Sequence, residues 1–132
     1  MREVEVGYLA GLIVGEGHII PEKIKIRRIR GKVYYARFPR IEISSTDKDT
    51  LEKAREIVGA GSIRTLKYPP PRLPLHRLTI DRKRAYKILE KVFPYVTGTK
   101  KYKGIRYPTA DLCKKVLTDP DYKSGRFAII HP

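Results

Sequence analysis

A chain of 132 residues is read as one domain, large enough for a modest core. Its 29 Lys and Arg against 14 Asp and Glu leave a formal net charge of +15, a self-repulsion that a polyanion such as nucleic acid relieves. No apolar run approaches the roughly 18 residues of a membrane span, and no secretory pattern opens the chain, so a cytoplasmic, nucleoid-associated protein without membrane contact is expected. Cys113 is the single cysteine, so no internal disulfide forms, and its apolar helical setting marks it as a packed residue. Asn and Gln are absent, with one Met and ten Pro, which is the composition expected of a hyperthermophile protein.

In chain order, apolar periodicity predicts a first helix from Val4 to Gly15, ending in a Gly15-Glu16-Gly17 turn. His18 to Arg28 reads as a strand with Ile24 and Ile26 on one face and Lys23, Lys25 and Arg27 on the other. Arg30-Gly31-Lys32 supplies a hairpin turn, and Val33 to Ser45 returns as a longer strand. Its phase is expected to slip at a bulge near Pro39, with Tyr34, Ala36 and Phe38 inward before it and Ile41 and Ile43 inward after it. Asp47 caps a helix over 48–58, with Leu51, Ala54, Ile57 and Val58 buried. Strands over 62–68 and 73–80 follow, with His76 on the core-facing alternation. Asp81 caps a third helix to about Phe93, Pro94 to Tyr107 is a Lys-rich connection, and Pro108 opens a last helix to about Leu117. The tail from about 118 to 132 has no placement. One α+β domain results, of order αββαββα with a further helix, its four antiparallel strands covered by helices on one face.

The segment Leu9-Ala10-Gly11-Leu12-Ile13-Val14-Gly15-Glu16-Gly17 carries the most chemistry. Gly7, Gly11 and Gly15 recur at one helical face, although each glycine costs a helix about 1 kcal/mol relative to alanine. Close approach of a second backbone is the physical reason to keep them. A second copy of the helix would bring two Glu16 carboxylates together, as a divalent-metal site requires. Tyr8 to Gly17 resembles the signature helix of the LAGLIDADG homing endonucleases, with Leu9 to Ile13 matching letter for letter and Gly15-Glu16-Gly17 matching its ending. Val14 stands where that family usually carries Asp.

The resemblance implies a saddle-shaped sheet that reads DNA and a homodimer packed through Gly7, Ala10, Gly11, Val14 and Gly15. It also implies a metal site at Glu16 and Gly15 holding Mg²⁺ or Mn²⁺. A lysine near the third and fourth helices lies by the water in the family, which points to Lys100 or Lys101 here, and Ser45 stands where the family often has Gln. On the open sheet face the expected DNA-binding residues are Lys23, Lys25 and Arg27, then Tyr35, Arg37, Arg40, Glu42 and Ser44, then Arg64, Arg77 and Thr79, with Lys103 beyond the sheet. Without Asn or Gln, base reading leans on Arg or Lys to guanine and on DNA shape. No Cys/His pattern suits zinc, and Thr97-Gly98-Thr99-Lys100-Lys101 lacks P-loop glycine spacing. His18 reads as a phosphate or supporting contact beside the metal site. The expected function is an intron-encoded double-strand DNA endonuclease. The alternative is a binder on the same scaffold, a transcription regulator or a splicing maturase with intron RNA as its partner.

Overall fold

Helix α1 spans Glu3–Glu16 and hands the chain directly to strand β1, Gly17–Ile29. This computed structural model describes residues 1–131, the last four by backbone alone. Strand β2 (Lys32–Ser45) returns beside β1, and helix α2 (Lys48–Val58) follows, its Asp47 cap accepting from the Asp49 N–H at 3.1 Å. Then come β3 (Ser62–Leu66), β4 (Leu75–Asp81) and α3 (Arg82–Val92). The expected Lys-rich connection is a second hairpin, β5 (Thr99–Tyr102) and β6 (Ile105–Pro108). Helices α4 (Thr109–Leu117) and α5 (Pro120–Ser124) precede a final strand, β7 (Ala128–His131).

The main sheet is antiparallel in the order β1-β2-β4-β3, with β7 pairing the far end of β2. One sheet face, with Ile19, Ile41, Ile43, Leu78 and Ile80, packs against α1 through α4. Leu9 and Ile13 of α1, Leu51 and Ala54 of α2, Ile88 and Leu89 of α3 and Leu112 and Cys113 of α4 complete this core. The αββαββα order and the helix-covered antiparallel sheet are therefore those read from the sequence. His76 shares the core-side face with Leu78, and its Nδ1 lies 2.9 Å from Thr65 Oγ1.

Two further details differ from expectation. The irregularity lies opposite Pro39 but on the other strand: Ile20 faces Arg40 and Lys23 faces Phe38, so Pro21 and Glu22 together span the place of Pro39. Strand β2 consequently keeps one phase from end to end. Tyr34, Ala36 and Phe38 therefore join Arg40, Glu42 and Ser44 on the open face rather than pointing inward. Phe38 is nevertheless buried, because the guanidinium groups of Arg40 and Arg82 lie 5.6 and 4.2 Å from its ring centre. Asp81 precedes α3 but makes no cap bond; its carboxylate takes Arg40 Nε at 2.6 Å instead.

The tail that sequence left unplaced is tied to β2. Arg37 reaches Asp119 at 2.7 Å and Asp121 at 2.9 Å, and its guanidinium sits 4.7 Å from the Tyr122 ring centre. The Arg37 N–H also donates to the Phe127 carbonyl at 2.7 Å.

Gly17 joins α1 to β1 with no room to spare. A Cβ there would stand 2.8 Å from Ile13 Cα and 2.9 Å from the Ile13 carbonyl oxygen, both backbone atoms. We expect Gly17→Ala to destabilise the fold by about 1–3 kcal/mol in a urea titration, and a midpoint at or above that of the parent would contradict this packing.

Candidate active site and nucleic-acid interface

The end of α1, the end of β2 and the start of β5 enclose an open cleft of about 430 Å³. Gly15, Glu16, Gly17, His18, Ser44, Ser45, Thr46 and Lys100 line it. Glu16 is exposed within it, in the last turn of the helix, where the macrodipole is negative and a carboxylate gains nothing from capping. That turn carries no basic residue of its own. Lys100 reaches across from β5 instead, donating from Nζ to the Val14 carbonyl at 2.6 Å. Burial pushes the Lys100 ammonium below its usual pKa, and the Glu16 charge works against that fall. Ser45 Oγ accepts from the Asp47 N–H at 3.0 Å, which leaves its hydroxyl hydrogen to donate into the cleft.

The structure thus brings Glu16, Gly15, Ser45, His18 and Lys100 together. It separates Lys101, which faces Arg106 across the hairpin, is exposed and does not line the cleft. Lys103 sits at the hairpin tip, its Nζ 5.4 Å from the Tyr102 ring centre. Sequence reasoning missed this hairpin although its signal was present. Lys103-Gly104 repeats the Arg30-Gly31 turn, both residues of each pair having positive φ (51° and 77° in each turn). Val14 does not line the cleft, and its side chain packs against the core, so the residue that departs from the motif removes no group from this site.

The open sheet face is polar and basic. Register aligns Lys23 with Phe38, Lys25 with Ala36 and Arg27 with Tyr34. Next come Arg40 with Asp81, Glu42 with Thr79 and Ser62, and Ser44 with Arg77 and Arg64. Ten of the twelve expected interface residues fall here or, for Lys103, at the second hairpin; Tyr35 and Arg37 do not. Because β2 never changes phase, Tyr35 and Arg37 share the helix-side face with Ile26 and Ile24, and Arg37 is held by α5.

The glycine stripe of α1 faces outward: a Cβ added at Gly7, Gly11 or Gly15 meets no atom within 4 Å. Val4 and Tyr8 are exposed on the same helix. Ala10 does not belong to this face, being 3 % exposed inside the core, and Val14 is half-buried against the core. Of the five residues expected at the interface, the three glycines are therefore the ones without a neighbour in this copy, while Ala10 and Val14 pack inward.

The Lys100–Glu16 coupling has a sign. Glu16→Gln removes the charge that holds the ammonium up, so the Lys100 pKa should fall further in an NMR titration of lysine side chains, and an unchanged or higher value would show that the two groups do not interact.

No family model matches the chain, and no curated protein matches it in sequence. Its fold does match solved structures. The homing endonuclease I-CvuI in complex with its target superposes with a TM-score of 0.63 at 18 % identity, over 92 % of this chain and 68 % of that one. A second I-CvuI complex, with the I-CreI target, gives 0.59 at 20 % identity, over 88 % and 65 %. The group I intron-encoded homing endonuclease I-CeuI, complexed with DNA, gives 0.51 at 20 % identity, over 93 % and 54 %. The chain spans about two thirds of I-CvuI and about half of I-CeuI. The fold implied by the LAGLIDADG resemblance is the fold observed, and it is the fold of these homing endonucleases.

Proposed function

We propose that this chain is a sequence-specific DNA endonuclease of the homing type, acting as a homodimer on both strands of a pseudo-palindromic site with Mg²⁺ or Mn²⁺. The observation that carries the reading is the placement of an exposed carboxylate and a half-buried ammonium in one cleft, at the edge of a basic sheet face. I-CvuI and I-CeuI were determined with DNA, I-CvuI once in the presence of Ca and once in the presence of Mg with its DNA not cleaved.

The donor set suits a hard divalent cation, because Glu16 and the last-turn carbonyls offer only oxygen. Among the described residues no group of three or more His, Cys, Asp or Glu could hold a metal within one copy. A second copy paired along the glycine stripe would supply a second Glu16. Bound there, a divalent cation supplies an activated water and offsets phosphate charge. Lys100 holds a cation beside the scissile phosphate and can exchange a proton with the attacking water, helped by its lowered pKa. Ser45 and His18 orient that water or a phosphate oxygen. The sheet cations fix the duplex by phosphate contact.

Two outcomes test this reading. Glu16→Ala should lower cleavage of the cognate site by at least about a hundredfold while duplex binding persists. A folded Glu16→Ala protein that cuts at the parent rate would remove Glu16 from the site, and tight binding by a parent protein that never cuts would favour the regulator or maturase reading. For assembly, Gly11→Leu should turn dimers into monomers in sedimentation. A Cβ at the exposed Gly11 meets no atom of the same copy within 4 Å and leucine adds up to about 1 kcal/mol of helix propensity, so loss of the dimer at an undiminished melting temperature could not be ascribed to unfolding.

A further inference from the structure

The arginines of the sheet are not equivalent. Arg37 is bound by two aspartates behind the sheet, and Arg40 is held by Asp81 through Nε at 2.6 Å and Nη2 at 3.0 Å. Both forks are occupied. Arg64 and Arg77 are different: they stand directly opposite each other on β3 and β4, and neither pairs with a carboxylate among the described residues. Like charges placed directly across strands are destabilising. The protein tolerates this at one row of its open face, separated by the Glu42–Thr79 row from Arg40 and Asp81, where the charges complement each other.

The third member of the row explains the orientation of the pair. Ser44 lies opposite Arg77, and its Oγ accepts from Arg77 Nε at 3.3 Å. That contact uses the inner edge of the guanidinium and leaves the terminal nitrogens as a free donor fork. Arg64 is exposed at the edge strand with its whole fork open. Ser44 also lines the cleft of Glu16, so the row adjoins the site of cleavage.

Resting on the reading proposed above, we propose that Arg77 and Arg64 recognise two guanines in adjacent base pairs beside the cleaved bonds. A guanine offers O6 and N7 as paired acceptors in the major groove, which match a free arginine fork. Opposed Cβ atoms stand about 5 Å apart, a spacing that long side chains close onto the roughly 3.4 Å step of stacked bases. The chain has no Asn or Gln with which to read adenine at this row.

The test is selection of bound duplexes from a randomised DNA library by the full chain, followed by affinity measurement on the enriched site and its single-base variants. Guanine should be enriched at two neighbouring positions closest to the cut. Arg77→Ala and Arg64→Ala should each erase the preference at one of those positions, reducing discrimination by about ten- to a hundredfold, with melting temperatures near that of the parent. Lys25→Ala should instead weaken all sequences alike. If both arginine variants lose affinity equally for every sequence, they are phosphate contacts and the inference fails. Enrichment of a site without guanine there overturns it as well, while leaving the endonuclease reading intact. A library that yields no enriched sequence overturns both.

Discussion

The extra residue that β1 accommodates at Pro21-Glu22 decides which side of the sheet the following side chains take. Before it, Gly17 and Ile19 lie on the core side, with Ile19 opposite Ile41. A strand without that residue would carry the same parity onward and turn Lys23 and Lys25 toward the helices, where unpaired ammonium groups are costly to bury. With it, Lys23, Lys25 and Arg27 cross to the open face, opposite Phe38, Ala36 and Tyr34 and on the same side as Arg40 and Ser44. Both strands carry proline at this point, which fits a place where ladder hydrogen bonds are lost. Ile24 and Ile26 take the opposite side and remain 53 % and 59 % exposed, beyond the reach of the helices. The basic face is thus gained at the expense of uncovered isoleucines.

A second constraint acts at the end of α1. Helix and strand meet with no intervening loop, and Gly17 lies so close to Ile13 that only a residue without Cβ fits. The helix therefore ends at a fixed height above the sheet, and Glu16 is presented from rigid backbone rather than from a mobile loop. A carboxylate at a helix C-terminus is disfavoured by the macrodipole. Lys100 offsets this from a strand some eighty residues away by capping the Val14 carbonyl. The same contact half-buries the ammonium, lowers its pKa and brings it near Glu16. Helix capping and the candidate chemistry are served by one side chain, so its position follows from the stability of α1 as well as from any reaction.

Much of this was legible in the sequence because it depends on local pattern. Alternation in 18–28, the cap at Asp47, the proline that opens the last helix at Pro108, and the run from Leu9 to Gly17 gave the element order and the carboxylate. What escaped depends on partners distant along the chain. The side of β2 that carries Tyr35 and Arg37 follows from which strand holds the bulge, and Pro39 pointed to β2 although the extra residue lies opposite it, at Pro21-Glu22. Asp81 reads as a helix cap by position, yet Arg40, forty-one residues earlier, outcompetes the backbone for it. Choosing Lys100 over Lys101 needed the β5–β6 hairpin, whose alternation sends neighbouring lysines to opposite sides. The tail has no periodicity of its own, and its place is set by Arg37.

The outward glycines of α1 bear on how these parts combine. A helix in one copy gains nothing from Gly7, Gly11 and Gly15, since alanine would fit at each and would favour the helix. On the proposed reading the three glycines serve contact between copies, where backbones approach without side chains between them. Such contact draws on dispersion rather than charge, which matters when each copy brings +15. Repulsion between the copies is long-ranged at low salt and is offset when a duplex lies along both basic faces. On that reading, pairing of the helices and binding of DNA would support each other, because a polyanion lying along both basic faces would also offset the charge repulsion between the copies.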